Sequence, residues 1–258
     1  MSPPSPPDLS GVLAVRKPAG WTSHDVVAVA RGVLGIRRVG HGGTLDPLAR
    51  GLLPLLVGRA TRFADRLHTA PKAYAAWVRF GWETTTDDRE GERTIVADPP
   101  RPGEADLERA LEAFRGEIEQ VPPAYAAVKV GGRRAYALAR AGQEVTLSAR
   151  RVTIHRLAAA GTADDELGLL VVCSTGTYIR SLARDLGRAL GSAAHLQDLV
   201  RVAVGALDAR DAIDVERLRT LDRPSALAAL RPADDRLLVL DERYLSLPAA
   251  ALLAEARA

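Results

Sequence analysis

A single cysteine and a single methionine stand among 258 residues, and only three of the 35 basic side chains are lysines. The one cysteine, Cys173, excludes an intramolecular disulfide framework and any cysteine-built zinc site. The histidines (His24, His41, His68, His155, His195) show no metal-ligand spacing of the H-x-x-x-H kind. Charges interrupt every hydrophobic stretch, so no run of about 18 apolar residues exists and no membrane-spanning helix is expected. The first ten residues, MSPPSPPDLS, lack the basic start and apolar core of a signal peptide. A cytoplasmic protein away from membranes is therefore expected. What is present is a hydrophobic fraction of 47%, enough for a sizeable core, which argues against disorder and fibrous repeats.

The net charge of +3 hides a segregation. Residues 1–80 carry 11 basic and 4 acidic side chains (+7), and residues 81–120 carry 5 and 12 (−7). Residues 121–205 carry 11 and 6 (+5), and residues 206–258 carry 8 and 10 (−2). Two basic blocks flanking an acidic one suit a single positive face for a polyanion, although an arginine-rich solvated surface has the same composition. The basic residues are Lys17, Lys72, Lys129 and otherwise arginines, whose planar fork suits bidentate phosphate contacts.

Periodicity divides the chain into a flexible tail (1–10), a body (11–206) and a helical C-terminal extension (207–258). Strands are expected at Gly11–Val15, Tyr74–Trp82, Ala124–Val130, Arg150–Ala158, Leu167–Ser174 and Leu196–Val204. Helices are expected after an N-cap at Ser23, at Ala60–His68, Glu104–Phe114, Arg133–Ala141 and Tyr178–Leu190. Without regular βαβ alternation, the fold class is α+β: a mixed, largely antiparallel sheet flanked by helices.

The densest segment is Val39-Gly40-His41-Gly42-Gly43-Thr44-Leu45-Asp46-Pro47-Leu48-Ala49. Three glycines permit close backbone approach, and Pro47 biases Asp46 toward an extended backbone. That suits a carboxylate fixed on a rigid loop, although a lone Asp-Pro step also fits a simple turn.

G-H-x-G-T-L-D-P-L-A resembles the signature motif of the TruB-type tRNA pseudouridine synthases. Other segments resemble that family in order: Gly11-Val12-Leu13 leading to Lys17-Pro18-Ala19-Gly20-Trp21-Thr22-Ser23, Lys72-Ala73-Tyr74, and Gln120–Val130 with Gly142–Val145. Cys173-Ser174-Thr175-Gly176-Thr177-Tyr178-Ile179-Arg180 and His195-Leu196-Gln197-Asp198-Leu199-Val200-Arg201 complete the set, which covers roughly residues 11–205. The resemblance implies isomerisation of uridine 55 in the T-arm of tRNA, on a pseudouridine-synthase-like fold. It implies that Asp46 is the catalytic nucleophile or base, that His41 contacts or helps extrude the target nucleotide, and that Tyr74 stacks on the flipped base. Tyr178 would lie at the base pocket, Arg180 would pair with Asp46, and Leu199 would line the pocket. Read singly, Tyr74 also fits a core-edge strand residue, and Tyr178 and Arg180 a surface pair at a helix start. The implied reaction needs no cofactor and no metal, and the implied partner is the tRNA T-arm stem-loop, bound by a monomer without an obligate protein partner. Another uridine site, or a tRNA-folding factor with secondary catalysis, would share these motifs.

The chain departs from the family pattern in three places. Gly42 stands where Thr is common, which is expected to loosen the loop. Thr84-Thr85-Thr86-Asp87-Asp88-Arg89-Glu90-Gly91 replaces T-D-T-x-D-x-x-G, so Thr85 replaces the first acid and Asp88 keeps the second. Leu240–Ala258 reads as helical instead of as the β-rich PUA-type domain of many members.

Overall fold

The structure, a computed structural model, describes residues 9–126, 129–130, 133–134, 147–163 and 165–257. In chain order the first stretch holds β1 (Gly11–Lys17), α1 (Ser23–Leu34), β2 (Val39–His41), β3 (Arg50–Val57), a 3-10 turn (Gly58–Phe63) and α2 (Ala64–Thr69). Next come β4 (Lys72–Phe80), β5 (Trp82–Thr84), β6 (Arg93–Val96), α3 (Glu104–Glu112), β7 (Gly116–Gln120), β8 (Lys129–Val130) and β9 (Arg133–Arg134). They are followed by β10 (Arg150–Ala163), β11 (Glu166–Cys173), α4 (Ile179–Ala189) and β12 (Ala194–Val204). The last elements are β13 (Leu207–Asp208), β14 (Ile213–Asp214), α5 (Val215–Thr220), α6 (Arg223–Ala228), α7 (Arg243–Ser246) and α8 (Ala249–Arg257). No described helix is long and apolar enough to cross a membrane. The fold is α+β with a mostly antiparallel sheet, as the sequence pattern implies.

The chain forms two compact units. The first joins the chain up to Ala73 with Val200–Tyr244, and the second joins Tyr74–Leu199 with Leu245–Ala258. The chain leaves the first unit inside β4 and returns inside β12, so residues 206 and 207 lie within one unit.

β3 is the centre of the first unit, although it is not among the elements read from periodicity. β1 pairs antiparallel along its length, from Gly11 opposite Val57 to Lys17 opposite Gly51. On its other edge β2 pairs with its C-terminal half (Val39 opposite Val57) and β12 runs parallel at Val200–Arg50 and Arg201–Gly51. β14 adds to β1 in parallel and β13 to β12 antiparallel. Residues 51–57 are buried throughout, so both faces of β3 are covered. That is why its sequence is a continuous apolar run without alternation, a pattern that does not distinguish a strand from a buried helix. One core cluster gathers Leu52 and Leu56 of β3 with Val12, Val204, Phe63 and Leu67. Gly51 has φ +103°, and a Cβ there would lie 2.4 Å from the Arg201 carbonyl oxygen, so this meeting of β3 and β12 requires glycine.

The N-cap of α1 is Thr22 rather than Ser23. Thr22 Oγ1 accepts from the Asp25 backbone N–H at 3.2 Å, and the Asp25 carboxylate accepts from the Thr22 N–H at 2.8 Å. This reciprocal capping box satisfies two otherwise orphaned donors and leaves the Ser23 hydroxyl for a different task.

In the second unit β4, β11, β10 and β7 lie side by side, with β10 antiparallel to both β11 and β7. β5 and β6 form a separate antiparallel ribbon. α8 packs on β10 and β11. The helix expected at Arg133–Ala141 begins instead with a two-residue strand, β9, paired with β8, and its remainder lies outside the described residues. Of the strand expected at Ala124–Val130, only Lys129–Val130 is a strand, and residues 127–128 lie outside the described ones.

Within the first unit, residues 207–244 are tied together by one buried polar cluster. The Tyr244 hydroxyl, on a residue only 2% exposed, donates to Asp208 Oδ2 at 2.7 Å. Arg210 and Arg243 reach the same carboxylate oxygen at 3.0 and 3.2 Å. Burial and the neighbouring carboxylate both push the Tyr244 phenol upward, so it stays protonated and remains a donor. Tyr244→Phe is expected to destabilise the protein by about 1.5–3 kcal/mol, the range for a hydrogen bond to a charged group, as a lower urea midpoint with unchanged slope.

Candidate active site

Asp46 sits half-buried in the segment between β2 and β3, where the backbone makes no ladder bonds. Its neighbours are held by side chains from other elements. Ser23 Oγ accepts from the Leu45 N–H at 3.0 Å and donates to the Leu45 carbonyl at 3.2 Å. Lys17 Nζ, on a residue 1% exposed, donates to the carbonyls of Pro18, Trp21 and Pro47 at 2.9, 2.7 and 3.3 Å. The Gly20 N–H also reaches the Pro47 carbonyl, at 2.8 Å. Arg201, equally buried, donates Nε to Leu52 O at 2.8 Å, and Nη1 and Nη2 to Thr44 O and Gly43 O, both at 3.1 Å. The backbone on both sides of Asp46 is thus held by side chains from β1, α1 and β12.

Gly42 does not loosen this loop. It is buried, its N–H donates to Pro54 O at 2.8 Å, and a Cβ there would lie 2.5 Å from Leu67 Cδ2. The glycine permits α2 to pack against the loop, which corrects the expectation of looseness. His41 enters the same loop from β2. Burial is the main cause, followed by the charges of His24, Arg201 and His68, that pushes its imidazole down to about 4. It is neutral at pH 7, and its Nδ1 is buried without a hydrogen-bond partner among the described residues.

The other four residues singled out in the sequence belong to the second unit. Tyr74 lies on β4, partly exposed between the buried Ala73 and Ala75. Tyr178 is the N-cap residue of α4. The Gln120 side chain brackets it, Oε1 accepting from the Tyr178 N–H at 2.7 Å and Nε2 donating to its carbonyl at 3.0 Å. The Arg150 guanidinium lies 4.4 Å from the centre of the Tyr178 ring, a cation–π contact. Arg180, 6% exposed, is on the first turn of α4. Its guanidinium donates to Thr86 O at 3.1 Å and Tyr125 O at 3.3 Å, with Asp88 Oδ2 3.5 Å away. Leu199 is 6% exposed on β12. His41 and Asp46 therefore share one loop of the first unit, while Tyr74, Tyr178, Arg180 and Leu199 are distributed over three elements of the second.

The loop after β5 supplies what the Thr85 departure put in question. Thr85 Oγ1 accepts from the Glu92 N–H at 3.2 Å, so the hydroxyl closes the turn without a carboxylate. Asp88 accepts from Thr86 Oγ1 at 2.6 Å and from the Glu90 N–H at 3.0 Å. Asp87 takes a left-handed backbone (φ +59°) and receives Arg184 Nη1 at 2.6 Å. Burial pushes its carboxyl up to about 6, outweighing the lowering by Arg184 and Arg180. Glu83 closes the set with a two-pronged ion pair to Arg188 at 2.6 and 2.7 Å. None of Lys17, Ser23, Gln120, Arg184 or Arg201 is assigned a site role by sequence reasoning. Their only signal was membership of, or proximity to, the recognised motifs.

Residues 31–179 match the TruB family pseudouridylate synthase N-terminal domain, and residues 180–237 match the tRNA pseudouridylate synthase B C-terminal domain. The chain is 49% identical over 241 residues to tRNA pseudouridine synthase B of Leifsonia xyli subsp. xyli, covering 91% of this chain and 78% of that protein. It is 46% identical over 226 residues to the protein of the same name from Aromatoleum aromaticum, covering 88% and 73%. Among solved structures, a chain of a Cbf5-Nop10-Gar1 complex superposes with a TM-score of 0.67 at 27% identity, over 86% of this chain. The chain spans 60% of the length of that structural neighbour. On this sequence identity and coverage, the chain belongs to the TruB family of pseudouridylate synthases.

Proposed function

We propose that this protein isomerises uridine 55 in the T-arm of tRNA to pseudouridine, with Asp46 as the nucleophile or base. The observation that carries the reading is the Asp46 loop: a half-buried carboxylate whose flanking peptides are fixed by Ser23, Lys17 and Arg201. A backbone fixed on both sides of the carboxylate is the arrangement a covalent or proton-transferring group needs. In the reaction the C1′–N1 bond breaks and a C1′–C5 bond forms. The proton at C5 leaves and N1 gains one, so atoms and electrons balance without a redox partner.

A uracil stacked in a folded RNA is unreachable, so the target nucleotide is flipped out before the bond breaks. Tyr74 offers a partly exposed ring for the flipped base, and Tyr178, held at backbone level by Gln120, forms a second aromatic wall. Leu199 supplies apolar lining. His41, neutral and carrying a buried Nδ1 without a partner among the described residues, contacts the target nucleotide. The family resemblance assigns Arg180 as the partner of the Asp46 carboxylate.

Asp46→Asn preserves shape and hydrogen-bonding capacity but removes the anionic oxygen. T-arm RNA binding is expected to stay within a few-fold of the parent while pseudouridine formation falls by at least about 10²–10⁴-fold. Retained turnover removes Asp46 from its role, and tritium release from C5-labelled RNA reads the outcome. For Tyr74, Phe should retain most turnover and Leu should lose it, because stacking on a base is worth about 1–3 kcal/mol and resides in the ring. Equal rates for the two variants would make Tyr74 a structural strand residue. The basic blocks predict affinity that falls steeply with salt, by about 0.7–0.9 log units per log unit of salt for each phosphate contacted. A filter-binding titration across salt concentrations measures that slope, and a flat line refutes the basic face.

A further inference from the structure

We infer that Arg201 is a positioning residue for catalysis, which sets the Asp46 loop through three carbonyl bonds; this rests on the reading of Asp46 as the reacting carboxylate. Arg201 is 1% exposed, and its guanidinium donates to the carbonyl oxygens of Gly43, Thr44 and Leu52, with no ion pair to a carboxylate among the described residues. Removing a guanidinium from water costs several kcal/mol unless its donors are satisfied, and carbonyl dipoles leave the positive charge unneutralised. A side chain that served only to fill space between β12 and β3 would be apolar and would avoid that cost.

The geometry shows what the charge does. Gly43 and Thr44 are three and two residues before Asp46, in a segment with no strand partner. Their carbonyls would otherwise be free to rotate toward solvent. One planar fork turns both inward and, through Nε, locks them to Leu52 in the centre of β3. The reach is fixed by a second close contact: Arg201 lies opposite Gly51, where only a glycine allows the strands to approach. Both ends of the guanidinium are therefore held, and the distance from β3 to the loop follows from it. Lysine has a single nitrogen and no fork, so it reaches these three oxygens less completely.

The experiment compares Arg201→Lys and Arg201→Met with the parent in three measurements: thermal unfolding, T-arm RNA affinity, and the single-turnover rate of pseudouridine formation at saturating enzyme. The expected result is RNA affinity within about 3-fold and a single-turnover rate lowered by about 10–100-fold for lysine, since displacement of about 1 Å has effects of that size. Methionine is expected to lower it further. In Arg201→Ala, added guanidinium ion should restore part of the rate at concentrations where melting temperature is unaltered. Amide hydrogen exchange of residues 42–49 provides a readout without substrate: it should quicken at least about 10-fold in Arg201→Lys, with peptides of α4 unchanged. Unchanged exchange and unchanged rate overturn the proposal, as does loss of RNA affinity with an unchanged rate, which would make Arg201 an RNA contact. If the parent itself forms no pseudouridine, the proposed function fails, while the exchange measurement still decides whether Arg201 sets the loop. Should Met or Ala fail to fold, the lysine variant alone decides.

Discussion

The structure turns on a loop whose backbone has no ladder to join. Between β2 and β3 the chain runs for eight residues, five of them buried, and buried carbonyls and amides left unpaired there would be costly. Side chains take the place of a neighbouring strand: Ser23 from the start of α1, Lys17 from the end of β1 and Arg201 from β12. β1 and β12 are positioned by pairing with β3, and α1 packs on β2. A buried ammonium and a buried guanidinium are expensive groups to use for this. The result is a carboxylate at Asp46 on a fixed backbone.

The second unit solves a similar problem with ion pairs. The loop after β5 is held by Asp87 to Arg184, with Glu83 to Arg188 beside it, all from one face of α4. The raised Asp87 carboxyl shows how close the balance is, since burial outweighs two nearby arginines. Its left-handed backbone is unusual for a non-glycine residue and persists because Leu196 N–H takes its carbonyl and Arg184 its carboxylate. The strain is thereby confined to one residue, and the adjacent Asp88 is left in ordinary geometry beside Arg180. The first turn of α4 thus carries Tyr178 and Arg180, and its later turns hold the loop that faces Arg180.

The departures from the family pattern have local physical explanations. At Gly42 the loss of a side chain admits Leu67, so a substitution that suggests looseness in the sequence produces close packing in the fold. At Thr85 a hydroxyl accepts the one backbone bond the turn requires. Neither change touches Asp46 or the residues that hold it.

How much of this was legible in the sequence differs by element. The amphipathic helices α3 and α4 declared themselves, because a half-buried helix must place apolar residues at its own period; β4 was legible as a strand although its residues other than Tyr74 and Arg79 are buried. The ordered motifs pointed to Asp46, His41, Tyr74, Tyr178, Arg180 and Leu199 as candidates, through the family resemblance. β3 was silent, since burial on both faces erases alternation, and the capping of α1 shifted by one residue because Ser23 was needed elsewhere. The sequence by itself determined an α+β chain of the TruB type and singled out Asp46 as the candidate carboxylate. Only the tertiary structure decided that Lys17, Ser23 and Arg201 hold that carboxylate's loop. Their partners are backbone carbonyls and amides, which every residue possesses, so no pattern of side chains along the chain can announce the contact before folding brings the two together.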